Sequence, residues 1–290
     1  MSSVLADFPG RFSVAGSERD GPAEGRIVLG EDRLVLAASE DDRVTIPLSA
    51  VFDVASGNEA AMLDATPGTP VTVAYENETS RTTAVVAAEE ATIGKFTTVL
   101  FKALLNGTRV TLQHPAKVGG RVLDTAFKGG LLTLKSGGVV FDTDEGPVTI
   151  PLSSIVDFDR ETRAVDGTDR PVLVVSHVDT GEALTTLAAT DSPRKLSILG
   201  RYLRQTYDTV LESLQQLSLS EPETETLATL YSAGDMDVSL TSVLEKKPQT
   251  VKRILHALHQ KGLIESGGNA PVLTAKGQIV VNQYLERVNS

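Results

Sequence analysis

The chain has 290 residues, with 38 acidic against 27 basic side chains, a net charge of −11, and neither cysteine nor tryptophan. Lack of cysteine rules out disulfides, thiolate catalysis and cysteine-based zinc sites. The first lysine is Lys95, while arginine and carboxylates are plentiful, an acidic surface suited to staying soluble in concentrated intracellular salt.

At the N-terminus, Met1–Phe12 has no basic region followed by an apolar core, so no signal peptide is expected. No stretch approaches the roughly 18 apolar residues of a membrane span. A cytoplasmic protein is expected. Short runs rich in Val, Ile, Leu and Thr follow: Gly25–Leu29, Leu34–Leu36, Val44–Val54, Pro70–Val73 and Ala84–Ala88. A helical pattern then runs from Glu90 to Leu105, with Ile93, Phe96, Leu100 and Leu104 on one side, and stops at Asn106-Gly107.

The same order then begins again. VTIPLSAVFDV at Val44–Val54 returns as VTIPLSSIVDF at Val148–Phe158. Outward from that anchor, Gly25–Leu29 aligns with Gly120–Leu123, Leu34–Leu36 with Leu132–Leu134, and Pro70–Val73 with Pro171–Val174. Gly129-Gly130, Gly137-Gly138, Glu145-Gly146 and Asp166-Gly167 punctuate the second copy as hairpin turns. Short links between consecutive strands require antiparallel pairing. Each copy is expected to be a small antiparallel barrel or sandwich closed by a helix.

The second helix opens at Ser192-Pro193, with Leu196, Leu199, Leu203, Tyr207, Val210, Leu214 and Leu217 recurring in threes and fours. It is expected to outrun its twin by about three turns. Tyr207, Val210, Leu214 and Leu217 are the candidate contacts of a homodimer, the other reading being a rigid strut to the next domain.

Beyond Ser218 the texture changes. A helix starts near Ser220-Glu221-Pro222-Glu223 and breaks at Gly234. A short one covers Val238 to Leu244. Pro248 opens a third that buries Val251, Ile254, Leu255 and Leu258 and ends at Gly262. Leu263-Ile264 and Val272-Leu273 then pair across Ser266-Gly267-Gly268-Asn269, and Gln278 to Val288 closes the chain. This is the order of a winged helix-turn-helix. The fold class is thus α+β, with domains at 1–108, 109–217 and 218–290.

The third helix of this last domain carries Lys252, Arg253, His256, His259 and Lys261 and no acid, a pattern suited to phosphate or an acidic partner. The domain as a whole, however, has seven basic against eight acidic side chains, which argues against nucleic acid and for a protein contact. His256 and His259 have metal-ligand spacing but suggest no third ligand, so neither a metal nor a cofactor is expected. Asp142-Thr143-Asp144-Glu145-Gly146 starts like a calcium loop but lacks the later oxygen ligand and bidentate Glu, so a charged hairpin tip accounts for it. Neither a phosphate loop nor a nucleophile–base pair can be nominated, so no catalytic residue is assigned and no enzyme is expected.

With two barrel–helix units and a winged helix, the chain resembles the archaeal taxis protein family CheF. The residues carrying the likeness are Val44–Asp53, Val148–Asp157, the opening Asp7-Phe8-Pro9-Gly10-Arg11-Phe12 and the C-terminal domain. The resemblance implies pleckstrin-homology-like barrels. It also implies an adaptor that couples the response regulator CheY to accessory proteins of the archaellum motor, so that the motor can switch. Within that role, Lys252, Arg253, His256 and His259 are the candidate partner-binding residues. The alternative is a DNA-binding transcription regulator with N-terminal sensor barrels.

Overall fold

The computed structural model describes residues 3–17, 21–56, 68–77, 80–233, 240–267 and 270–289. The expected break at Gly234, the helix start at Val238 and the Gly268-Asn269 turn lie outside them. The chain groups into two compact units: Met1–Arg109 with Leu131–Leu134 and Thr190–Gln205, and Val110–Gly130 with Lys135–Ala189 and Thr206–Ser290.

The first unit holds strands β1 (Val4–Val14), β2 (Ala23–Gly30), β3 (Arg33–Ala37), β4 (Arg43–Pro47), β5 (Val51–Ser56), β6 (Thr69–Glu76) and β7 (Arg81–Ala88), then helix α1 (Glu90–Leu105). They form one sheet in the order β4-β3-β2-β1-β7-β6-β5. Alternation sets its inner face: Ile27 and Leu29, Leu34 and Leu36, Val71 and Val73 are fully buried. Helix α1 lies against β1, β6 and β7, and its apolar stripe of Ile93, Phe96, Leu100 and Leu104 is buried. Phe96 meets Phe8 edge-on with ring centroids 5.3 Å apart.

The second repeat comprises β8 (Thr108–Val118), β9 (Arg121–Val122), β10 (Lys128–Lys135), β11 (Gly138–Thr143), β12 (Gly146–Pro151), β13 (Ile155–Val165), β14 (Thr168–Asp179) and β15 (Glu182–Thr190). Its sheet order, β12-β11-β10-β8-β15-β14-β13, repeats the first, with β9 paired to β8 off that path. Both sheets are open paths. β4 and β5, or β12 and β13, end them and are joined through a 3-10 turn, so the expected closed barrel is instead a strongly bent sheet with two edges.

Topology also corrects the expected alignment of the repeats. Gly120–Leu123 falls on the β8–β9 hairpin, which has no counterpart among the described residues of the first sheet. The counterpart of β2 is β10, so Gly25, Ile27 and Leu29 correspond to Gly130, Leu132 and Leu134. The two glycines share a reason. A Cβ on Gly25 would lie 2.2 Å from the Ala37 carbonyl oxygen, and one on Gly130 would lie 2.9 Å from that of Asp142.

Helix α2 spans Pro193–Gln215. At 23 residues against 16 for α1, it is about two turns longer than its twin rather than three. Its first half belongs to the first unit. There Arg194 pairs with Glu76, Arg201 grips both carboxylate oxygens of Asp53 at 2.9 and 3.2 Å, and Lys195 caps the Leu104 carbonyl of α1. Its second half belongs to the second unit. After it come α3 (Glu221–Ala233), α4 (Leu240–Val243), α5 (Pro248–Gln260), the hairpin of β16 (Ile264–Ser266) and β17 (Pro271–Leu273), and α6 (Ala275–Asn289). The last helix starts three residues earlier than expected. Val156 and Val178 of the second sheet share one core with Leu214, Leu227, Leu258, Leu263, Leu273 and Ile279, so segments 109–217 and 218–290 are packed together rather than strung apart.

Candidate functional site

Helix α5 divides cleanly. Pro248 sits in its first turn, where a missing N–H costs no hydrogen bond. Val251, Ile254 and Leu258 are buried in the second unit's core. Lys252, Arg253, His256 and His259 are all exposed, as are Lys247 and Gln249 at its start, and the helix bears no carboxylate. Positions 252, 256 and 259 recur at four and three, so their side chains share one stripe. The imidazole of His256 contacts the Gln260 amide at 3.0 Å.

Lys261, grouped with this stripe by sequence, is used elsewhere. Its ammonium donates to Glu223 Oε1 at 2.6 Å and to the Ser218 carbonyl at 2.9 Å. Glu223 in turn accepts from the Ser220 backbone N–H and hydroxyl at 2.7 and 2.8 Å, the capping box that starts α3. Burial pushes the Glu223 carboxyl upward, but the bonds from Lys261 and Ser220 outweigh it and hold it below its ordinary value. Lys261 is a structural cation.

The remaining expected residues fall in different places. Leu214 is buried in the core just described, and Tyr207, Val210 and Leu217 pack against that core, with Tyr207 edge-on to Phe158 at 5.7 Å. Leu214 is therefore covered inside the chain, while Tyr207, Val210 and Leu217 remain partly exposed. Asp142–Gly146 is the tip of the β11–β12 hairpin, turning at Asp144-Glu145, with the Thr143 hydroxyl donating to the Gly146 carbonyl at 2.7 Å. Among the described residues, no group of three or more His, Asp or Glu side chains is placed to hold a metal. Among them, too, no helix is long and apolar enough to cross a membrane.

One constellation was invisible in the sequence. β8, β15 and β14 are neighbours, and they bring His114, Thr186 and His177 together. The Thr186 hydroxyl lies 2.7 Å from His114 Nδ1 and 3.0 Å from His177 Nε2, and the two rings stack with centroids 5.7 Å apart. His177 is 2 % exposed and its Nδ1 has no partner. An unpaired ring acceptor costs less than an unpaired N–H, which assigns the His177 proton to Nε2, donating to Thr186, and the hydroxyl proton to His114. Burial drives the His177 imidazole down to about 4, helped by the neighbouring His114 and opposed by Asp179. Burial also lowers the His114 imidazole, so desolvation disfavours a charge on either ring of this packed polar cluster.

The β16–β17 hairpin is also committed. Gly181, at φ +85° in the β14–β15 turn, abuts Val272, whose Cγ2 would lie 2.8 Å from an added Cβ. The described hairpin thus seats against the second sheet, while the stripe of α5 is an exposed cationic face.

The family model described as Archaeal Chemotaxis signal transduction system protein F matches residues 4–209. Taxis protein CheF2 of Halobacterium salinarum is 36% identical over 291 residues, covering 99% of this chain and 99% of that one. Taxis protein CheF1 of the same organism is 29% identical over 268 residues, covering 90% and 89%. The family model covers most of the chain and the match to Taxis protein CheF2 its full length, and the chain belongs to this archaeal chemotaxis family.

Proposed function

We propose that the protein is a non-enzymatic taxis adaptor in the cytoplasm, linking the phosphorylated response regulator CheY to accessory proteins of the archaellum motor. In this reading the two sheet-and-helix repeats, 1–108 and 109–217, are pleckstrin-homology-like modules, and 218–290 is a winged helix put to protein contact. Its acidic surface is an adaptation to molar salt, where solubility rests on carboxylates.

The observation that carries the reading is the open face of α5. Lys252, Arg253, His256 and His259 form a carboxylate-free stripe on a chain of net charge −11, so it selects an acidic partner from a protein that repels acids elsewhere. Response regulators typically present an acidic pocket around their phosphorylation site. The stripe also lies beyond residue 209, where the family model ends, while the match to Taxis protein CheF2 runs the full length. DNA reading through the hairpin is disfavoured by its seat on Gly181.

The test replaces Lys252 and Arg253 together by Glu and measures affinity for phosphorylated CheY by calorimetry at working salt. A loss of about tenfold or more is expected, since like charges now face each other. Unchanged affinity rejects the assignment of this face. Salt-resistant, sequence-selective retention of genomic fragments in a gel shift would move the reading to a transcription regulator.

A further inference from the structure

Among the described residues seven large apolar side chains are exposed, and three of them belong to the C-terminal helices: Tyr231 on α3, Val243 on α4 and Tyr284 on α6. An open trough of about 870 Å³ lies there, walled by Val243 and Tyr284 and floored by α3. Leu227 and Thr226 bury the inner side of α3, which touches α5, α6 and the hairpin. The floor is its opposite side, Glu221, Thr224, Glu225, Ala228 and Ser232, recurring in threes and fours. From Glu221 to Ser232 the helix rises about 16 Å, three turns. A trough of that length along a helix is complementary to another helix laid into it.

Charge selects the occupant. Among the described residues of the lining, Glu221 and Glu225 bring charge, and no lysine or arginine contributes to it. Lys246 pairs with Glu225 at 2.5 Å, which leaves Glu221 as the anion offered at the open end. The cationic stripe of a second copy's α5 comes on a helix whose apolar side is buried in its own core, so it has none to lay between Val243 and Tyr284. We propose that the trough is a docking site for a basic amphipathic helix of a partner protein, with apolar side chains between Val243 and Tyr284 and a Lys or Arg on Glu221. This face is distinct from the cationic stripe of α5, because α3 meets α5 through its inner side. The C-terminal module then holds two partners of opposite charge, and the trough stands whichever partner α5 takes.

The full-length protein is titrated at working salt with an amphipathic leucine–lysine helical peptide, followed by fluorescence anisotropy. Saturable binding is expected, weakened by about tenfold in both Val243→Arg and Tyr284→Arg, which replace exposed apolar walls by like charge. Lys252→Glu leaves it unaltered, and a leucine–glutamate peptide does not bind. Both wall positions are exposed, and a thermal melt matching wild type confirms that each variant is folded. Equal binding by wild type and both wall variants overturns the proposal, since the peptide then reads only the acidic surface. A wild-type dimer that Tyr284→Arg dissociates overturns it as well, because the occupant is then a second copy.

Discussion

His177 shows what a single residue takes from its surroundings. Its imidazole carries a proton at pH values below about 6.5 when unfolded, but holds none in the fold until pH falls to about 4. The unfolded chain therefore binds more protons between those two values, so stability is full above pH 6.5 and falls as pH drops through the window. The loss is about 3 kcal/mol, reached near pH 4. Urea unfolding at pH 7 and pH 4 tests this when wild type is compared with His177→Gln, whose pH-dependent loss should be smaller by about that amount. Equal losses in the two proteins would show that the carboxylates alone govern acid unfolding. The opening Asp7–Phe12 stretch is likewise fixed by its neighbours. Phe8 meets Phe96 edge-on, Asp7 salt-bridges Arg26, and Gly10 leaves room where a Cβ would come within 2.8 Å of Ile27 and 2.9 Å of the Ala87 carbonyl.

At the scale of elements, the repeated VTIPLS phrase encodes one manoeuvre twice. A strand ends in proline at φ −61° in both copies, a 3-10 turn follows, and the Leu48 and Leu152 N–H groups donate at 2.9 Å to the Asp32 and Gly137 carbonyls, in the β2–β3 and β10–β11 turns. The next strand enters through a bulge, between Val51 and Asp53 and again between Ile155 and Asp157. Helix α2 is the opposite case. Its stripe was legible but its partner was not, because periodicity says which side is apolar and nothing of what covers it. Since Leu214 is covered within the chain, Leu214→Ala is expected to cost about 2–4 kcal/mol of stability. Sedimentation should find the same mass in the variant as in wild type. A dimer lost on that substitution would return α2 to the interface.

For the whole molecule, charge and packing pull apart. A net charge of −11 repels itself, and added salt screens that repulsion over about 10 Å at 0.1 M and about 3 Å at 1 M. The unfolding midpoint is therefore expected to climb as KCl rises from about 0.1 M to molar levels, which a set of thermal melts would follow. A flat or falling midpoint would assign the acidic surface to solubility alone. By itself the sequence determined the duplication, the antiparallel strands, both helix starts, the C-terminal element order and the cationic stripe of α5, because each is local or set by periodicity. Tertiary structure alone decided which strand of one copy matches which of the other, and that the sheets stay open. It alone joined the second repeat and the C-terminal helices in one core, and placed His114 against His177. Those facts rest on contacts between residues far apart in the chain, whose side chains carry no mark of the partner that folding brings to them.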